Sequence, residues 1–255
     1  MFKNRSFYKY FLYNLFVFLF LFVIHASFNW AELKNSLKSK NIIFSDTQIL
    51  DLKVYKQIIN NASAQNISKL TTKDISRIIE AHPYVLAARV SNQYPNKILV
   101  EIIEREPLAI LKINPLLMID GDGIILPDLE NYVNYNIPIL SNFNFHETSH
   151  IEGKKISSDK VIDCVEWLKM VKKDYNYIYE NLSELKITSS DEIELILFDR
   201  PTYIYLGLDK INSRLKILKK FEETIKPNKI SDYTYLDLRY KNQIIVKEKR
   251  SWILW

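Results

Sequence analysis

Cysteine occurs once in the chain, at Cys164, so no internal disulfide can form and packing alone must hold the fold together. The thiol falls in the apolar stripe of an expected helix and reads as an inert core group. Glycine is nearly as scarce, with four residues in 255. That scarcity excludes low-complexity tracts, a phosphate-cradling loop and a G-x-S-x-G elbow, and no H-E-x-x-H pair is present. The string Asp120-Gly121-Asp122-Gly123 begins like a calcium loop, but that geometry needs glycine and glutamate where Ile125 and Asn131 stand. Glu101, Glu104 and Glu106 alternate faces on an expected strand and end at a domain junction, which is poor placement for paired acids. Neither an enzyme, a metal, a cofactor nor a small-molecule substrate is expected. Nor does a basic cluster interleaved with aromatics appear: the net charge of +5 is spread along the chain, which argues against a nucleic-acid partner.

What the chain does have is a long apolar run from Phe7 to Phe28, densest between Phe11 and Ile24. It suffices to cross the hydrocarbon core of a bilayer as a helix that satisfies its own backbone. Tyr8, Tyr10, Tyr13 and Trp30 lie near its ends, where aromatic side chains favour the interface, and Asn14 reads as reaching toward headgroups. Lys3, Arg5 and Lys9 come before the densest part of the run and are expected to keep the amino terminus on the cytoplasmic side, an asymmetry reduced by Lys34, Lys38 and Lys40 after it. A cleaved signal would need small residues where Ile24-His25-Ala26 stands, so the helix is expected to be retained as an anchor.

The rest alternates short strand and helix patterns. Asn41 to Phe44 reads as a strand, Leu52, Tyr55, Ile58 and Ile59 recur at helical spacing, and a second helix runs from Thr72 to a stop before His82-Pro83. Val85–Asn92 and Lys97–Arg105 read as strands joined by the turn Gln93-Tyr94-Pro95-Asn96. Strand, helix, helix, strand, strand implies a three-stranded sheet with two helices on one face. From Pro107, a hairpin around Gly121-Asp122-Gly123 is followed by helix stripes at Val161–Val171 and Ile211–Phe221. Strands are expected at Leu185–Ile187, Ile193–Phe198, Thr202–Leu206, Tyr233–Leu238 and Gln243–Lys247. The fold class is α+β, the second part being a mostly antiparallel β domain with packed helices. Asp237 and Arg239, two apart on a strand, read as a structural pair.

Several local patterns resemble one family. Ile79 to Arg105, with its Pro-Tyr-Val entry, Ala-Arg-Val strand, Tyr-Pro-Asn turn and Glu-Arg end, resembles the last half of a POTRA domain of the FtsQ/DivIB type. Arg105 with Pro107, Leu108 and Ala109, the hairpin through Leu126-Pro127, Asn136–Leu140, Leu206-Gly207 and Tyr235–Tyr240 resemble the following β domain. The resemblance implies a division of the chain into a cytoplasmic tail at 1–9, a transmembrane helix at 10–30 and a stalk at 31–40. A POTRA domain would follow at 41–106, the β domain at 107–249 and a short tail at 250–255. It further implies a non-catalytic divisome scaffold in the bacterial inner membrane at the division septum, with its bulk in the periplasm. By the same resemblance Tyr240, Gln243, Ile244, Ile245, Val246 and Lys247 would bind partners of the FtsB/FtsL type by strand addition, and other divisome proteins would meet the POTRA domain around Ile43 and Phe44. The plain alternative for the last strand is an edge guarded by Lys241, Lys247 and Lys249. A transport or outer-membrane assembly module carrying a POTRA domain is the rival function.

Overall fold

The computed structural model describes residues 4–35, 41–63, 70–93, 97–129, 136–143, 151–198, 200–241 and 243–249. The tip of the expected turn at Tyr94-Pro95-Asn96, residues 36–40 of the expected stalk, Asn131 and the tail beyond Lys249 lie outside those residues. Contacts divide the chain into two units, Met1–Glu104 and Arg105–Trp255.

The first unit opens with helix α1, Asn4–Asn35. Its stretch Tyr8–Trp30 is long and apolar enough to cross a membrane, carries Lys9 as its only Lys, Arg, Asp or Glu, and is exposed throughout. There follow β1 (Asn41–Phe44), α2 (Leu52–Ser63), α3 (Thr72–Glu80), β2 (Val85–Gln93) and β3 (Lys97–Glu104). The expected order is realised. The sheet runs β1-β3-β2, with β3 parallel to β1 and antiparallel to β2. Helix α3 starts where the side chain of Thr71 accepts from the Asp74 amide and Asp74 reaches back to the Thr71 amide, satisfying two otherwise orphaned donors. Tyr55, Ile59, Ile75 and Ile79 from the helices meet Val85, Ala88, Ile98, Val100 and Ile102 from the sheet in one apolar core.

Glu104 ties this unit together. Its carboxylate accepts from the amides of Gln48, Ile49 and Leu50 at 2.7, 2.8 and 3.0 Å and from the Tyr55 hydroxyl at 2.8 Å. The end of β3 thereby fixes the loop that leads into α2. Burial first, and then the neighbouring Glu104 carboxylate, pushes the Tyr55 hydroxyl well above its ordinary pKa, so it stays a donor.

The second unit contains β4 (Pro107–Leu111), β5 (Leu117–Asp120), β6 (Ile125–Leu126), β7 (Ile139–Ser141), α4 (Asp159–Asp174), α5 (Asn176–Asn181) and β8 (Leu182–Ile187). The chain continues through β9 (Ile193–Leu197), β10 (Thr202–Gly207), α6 (Ile211–Thr224), β11 (Tyr233–Asp237) and β12 (Ile245–Glu248). These strands form one nine-stranded sheet in the order β12-β11-β10-β9-β8-β7-β4-β5-β6. Five of the eight pairings are antiparallel; β4–β7, β7–β8 and β10–β11 are parallel. Val161, Val165, Leu168 and Val171 of α4, with Leu215 and Leu218 of α6, pack on Leu140, Leu185, Leu195, Ile204 and Leu236 of the sheet. Cys164 lies in this core, where burial and then Asp163 push its thiol up to about 12, too high for ready thiolate chemistry.

Replacing Glu104 by Gln leaves the three amides and the tyrosine hydroxyl competing for one neutral oxygen. Hydrogen bonds to a charged acceptor contribute roughly 1.5–3 kcal/mol. Glu104→Gln should therefore destabilise the first unit by about 2 kcal/mol in urea unfolding, and Tyr55→Phe by about half as much. Equal stability of Glu104→Gln and the parent chain would show that the clamp contributes nothing.

Candidate partner-binding strand edge

A flat sheet ends in two strands that each leave a row of backbone groups unpaired, and natural proteins cover or blunt them. At the β6 end the segment Ile151–Ile156 lies across the edge. The Ile125 amide donates to Lys154 O at 2.9 Å, the Gly153 amide to Ile125 O at 2.7 Å and the Ile156 amide to Gly123 O at 2.8 Å. The β5–β6 hairpin itself is set by Asp120, whose Oδ1 accepts from the amides of Asp122 and Ile124 while Oδ2 takes Arg105 at 2.8 Å. Gly123, at φ +80°, makes that turn possible. The Asp-Gly-Asp-Gly string is thus a hairpin staple with its first carboxylate consumed.

At the other end β12 pairs with β11 alone among the described strands, and all four of its residues are exposed. Its register sets Val246 against Leu236 and Ile245 against Asp237. Leu236 belongs to the helix-covered core, so Val246 extends that face to its rim while Ile245 and Lys247 lie on the opposite one. Both apolar side chains remain in part uncovered, Ile245 at 41% and Val246 at 36% exposure.

Two clasps fix the chain on either side of the strand, and among the described strands none pairs with its outer side. Before it, Arg239 bonds Asp237 through Nε at 2.9 Å and Nη2 at 2.6 Å, reaches Glu192 at 3.0 Å and lies 5.2 Å over the Tyr205 ring. Arg239 sits beyond the end of β11, so the pair expected from same-face strand spacing forms through a turn instead. Gly207, at φ +75°, admits this packing, because a Cβ there would collide with the Arg214 guanidinium, which donates to Leu206 O. After the strand, Lys249 Nζ donates to Arg200 O at 2.7 Å, Thr202 Oγ1 at 3.1 Å and Ser231 O at 2.7 Å. Of the three lysines expected to guard this edge, Lys249 therefore turns back into the sheet.

The sequence-derived partner residues are not all alike. Tyr240 is 54% exposed in the turn, Gln243, Ile245, Val246 and Lys247 are exposed, and Ile244 packs against the core. Ile43 and Phe44 separate by strand alternation: Phe44 packs on the core of the first unit, whereas Ile43 faces out beside Leu99. Sequence reasoning missed Glu192 and the inward course of Lys249, since nothing local marks residues that meet across tens of positions. Among the described residues no group of three or more His, Cys, Asp and Glu could hold a metal ion.

Burial alone would raise the Asp237 carboxyl, but the Arg239 side-chain and backbone hydrogen bonds outweigh it and hold it below its ordinary pKa. A depressed carboxyl contributes stability that is fully present above its unfolded value of about 3.9 and is lost as pH falls further. Asp237→Asn should therefore be less stable than the parent at neutral pH, with the gap closing below about pH 4 in unfolding titrations. A gap independent of pH would contradict the clasp. Similarly, Lys249→Met should speed amide exchange in β12 by about tenfold or more, leaving β8 and β9 unchanged, since each charge-assisted bond is worth roughly 1.5–3 kcal/mol.

Residues 37–105 match the family model described as POTRA domain, FtsQ-type, and residues 108–247 match FtsQ/DivIB, C-terminal related. Among similar proteins, the cell division protein FtsQ of Syntrophotalea carbinolica is 24% identical over 182 residues, covering 71% of this chain and 64% of its own length. FtsQ of Geotalea daltonii is 23% identical over 180 residues, covering 70% and 64%. The cell division protein DivIB of Clostridium botulinum strain Hall is 24% identical over 221 residues, covering 78% and 79%. The chain thus spans just under two thirds of the length of the first two relatives. With the second model alone covering more than half of its residues, the chain belongs to the FtsQ/DivIB family of cell division proteins.

Proposed function

We propose that this chain is a non-catalytic divisome scaffold, anchored in the bacterial inner membrane by α1, which receives a partner of the FtsB/FtsL type as an added strand on β12. The observation that carries the reading is the outer side of β12, which no other described strand pairs with, a row of backbone donors and acceptors on a sheet whose other edge is covered. Strand addition takes its affinity from such main-chain bonds and its selectivity from alternating side chains. Here those side chains are Ile245 and Lys247 on one face and Val246 on the other, with Tyr240 at the turn. Holding the strand at both ends lowers the ordering cost that association would otherwise incur.

Family membership and the basic residues before the apolar helix support an amino terminus in the cytoplasm, a single crossing and both folded units in the periplasm at the septum. On this reading the chain divides as tail, helix, stalk, POTRA domain and β domain at the boundaries set out from sequence. Ile43 is the residue of the Ile43–Phe44 pair that faces outward for recruitment of other divisome proteins; Phe44 supports the strand from the core side.

Successive amides of an edge strand point alternately to the neighbouring strand and outward. One of Ile245→Pro and Val246→Pro therefore removes an outward donor, and the other breaks pairing with β11. Isothermal titration with the periplasmic segment of an FtsB-type partner should show the outward variant folded by circular dichroism, with affinity lower by about tenfold or more. Undiminished binding by both proline variants would overturn strand addition at β12.

A further inference from the structure

Helix α1 is apolar, and three of its polar side chains share one face, with Ser27 about 140° away from it. Asn14 and His25 are eleven residues apart, which at 100° per residue places them within about 20° of each other around the axis, and Asn29 follows His25 by about 40°. Phe18 and Leu21 fill the same face between them. Lys9 lies about 140° away from Asn14, on the far side. The span Tyr8–Trp30 centres on Leu19, so Asn14 is about 7.5 Å from the midpoint and His25 about 9 Å on the other side. Both depths fall well inside a hydrocarbon half-thickness of about 15 Å.

Within the helix these groups are only partly satisfied. Asn14 Nδ2 turns back to donate to Tyr10 O at 2.9 Å instead of reaching outward, which leaves its second amide hydrogen and Oδ1 over. The His25 Nε2 meets Asn29 Nδ2 at 3.1 Å, and Nδ1 has no hydrogen-bond partner among the described residues. All three residues sit on an exposed helix surface. In hydrocarbon a polar side chain finds its partner on another helix, and an amide or imidazole can both donate and accept.

We propose that the Asn14–His25–Asn29 face of α1 is a helix–helix interface occupied by α1 of a second copy of this chain. The proposal rests on the reading that α1 spans the membrane. Copies inserted the same way lie parallel, and a two-fold parallel pair brings Asn14 opposite Asn14 and His25 opposite His25 with Asn29 beside it. Each polar group meets one of complementary capacity at its own depth. A foreign helix would need matching groups at two depths eleven residues apart, whereas the same sequence supplies them by symmetry.

The test uses the full chain, donor- and acceptor-labelled, in phosphatidylethanolamine–phosphatidylglycerol vesicles, with energy transfer followed as lipid dilutes protein. Asn14→Leu should raise the protein-to-lipid ratio at half association by about fivefold or more. Asn14→Leu combined with His25→Leu should abolish transfer. Asn14→Gln, which keeps donor and acceptor, should retain it, and Phe16→Leu on the opposite face should change nothing. Alkaline carbonate extraction of the same vesicles separates the two claims. Double-variant transfer equal to the parent, with all chains still resisting extraction, would overturn the interface while leaving the spanning reading intact. Release of the chain by carbonate would overturn the spanning reading itself. Transfer that appears only when a different membrane protein is added would overturn the second copy as occupant.

Discussion

Backbone hydrogen-bonding groups are obligatory, and a nine-stranded open sheet has two places where they run out of partners. The second unit is organised by unequal treatment of those two places. One edge is closed by the chain's own segment at Ile151–Ile156, at the cost of a hairpin that consumes both oxygens of Asp120. The other, among the described strands, pairs with nothing beyond β12. An unguarded edge is a liability for aggregation, so retaining one with two partly exposed aliphatic side chains makes physical sense where another polypeptide covers it.

Keeping such an edge open requires that it not fray. A four-residue strand paired on one side has few contacts of its own, and its order comes from what flanks it. Arg239 is positioned by two carboxylates and the Tyr205 ring, and Lys249 by three oxygens from elements distant in sequence. Both clasps tie a cation to the protein's own oxygens, Arg239 along the surface and Lys249 turned inward, where the same charges left unpaired would have repelled or screened a neighbour. The small sheet of the first unit applies the same logic differently: Glu104 gathers three loop amides and a tyrosine hydroxyl, so a single carboxylate organises the entry to α2.

Much of this was legible in the residues because it depends on local period and punctuation. The strand–helix–helix–strand–strand order, the Gly123 hairpin and the α4 and α6 stripes follow from spacing that one turn or one pleat imposes. What was not legible depends on pairing. Strand β4 begins at Pro107, a residue that argues against a strand in isolation; the register shift between Pro107 and Ala109 accommodates it. Helix α5 is six residues rich in Asn and Tyr, weak helix formers that tertiary context overrides. The last strand runs Ile245–Glu248 instead of beginning at Gln243, and Ile244 just before it turns inward. Its position at the rim was foreseeable only through family resemblance, since strand order in a sheet leaves no local trace in sequence. The inward turn of Lys249 had no signal at all, because its three acceptors lie between 18 and 49 residues away.

On the proposed function, the outward backbone groups of β12 accept another chain. Hydrogen–deuterium exchange resolved by amide, on the full protein in lipid with and without the periplasmic segment of an FtsB-type partner, tests it most directly. Strand addition should bring new protection at alternate amides across Ile245–Glu248, with the already paired amides little changed. Protection confined to other surfaces, with the outward amides of β12 exchanging as fast as in the free protein, would contradict it.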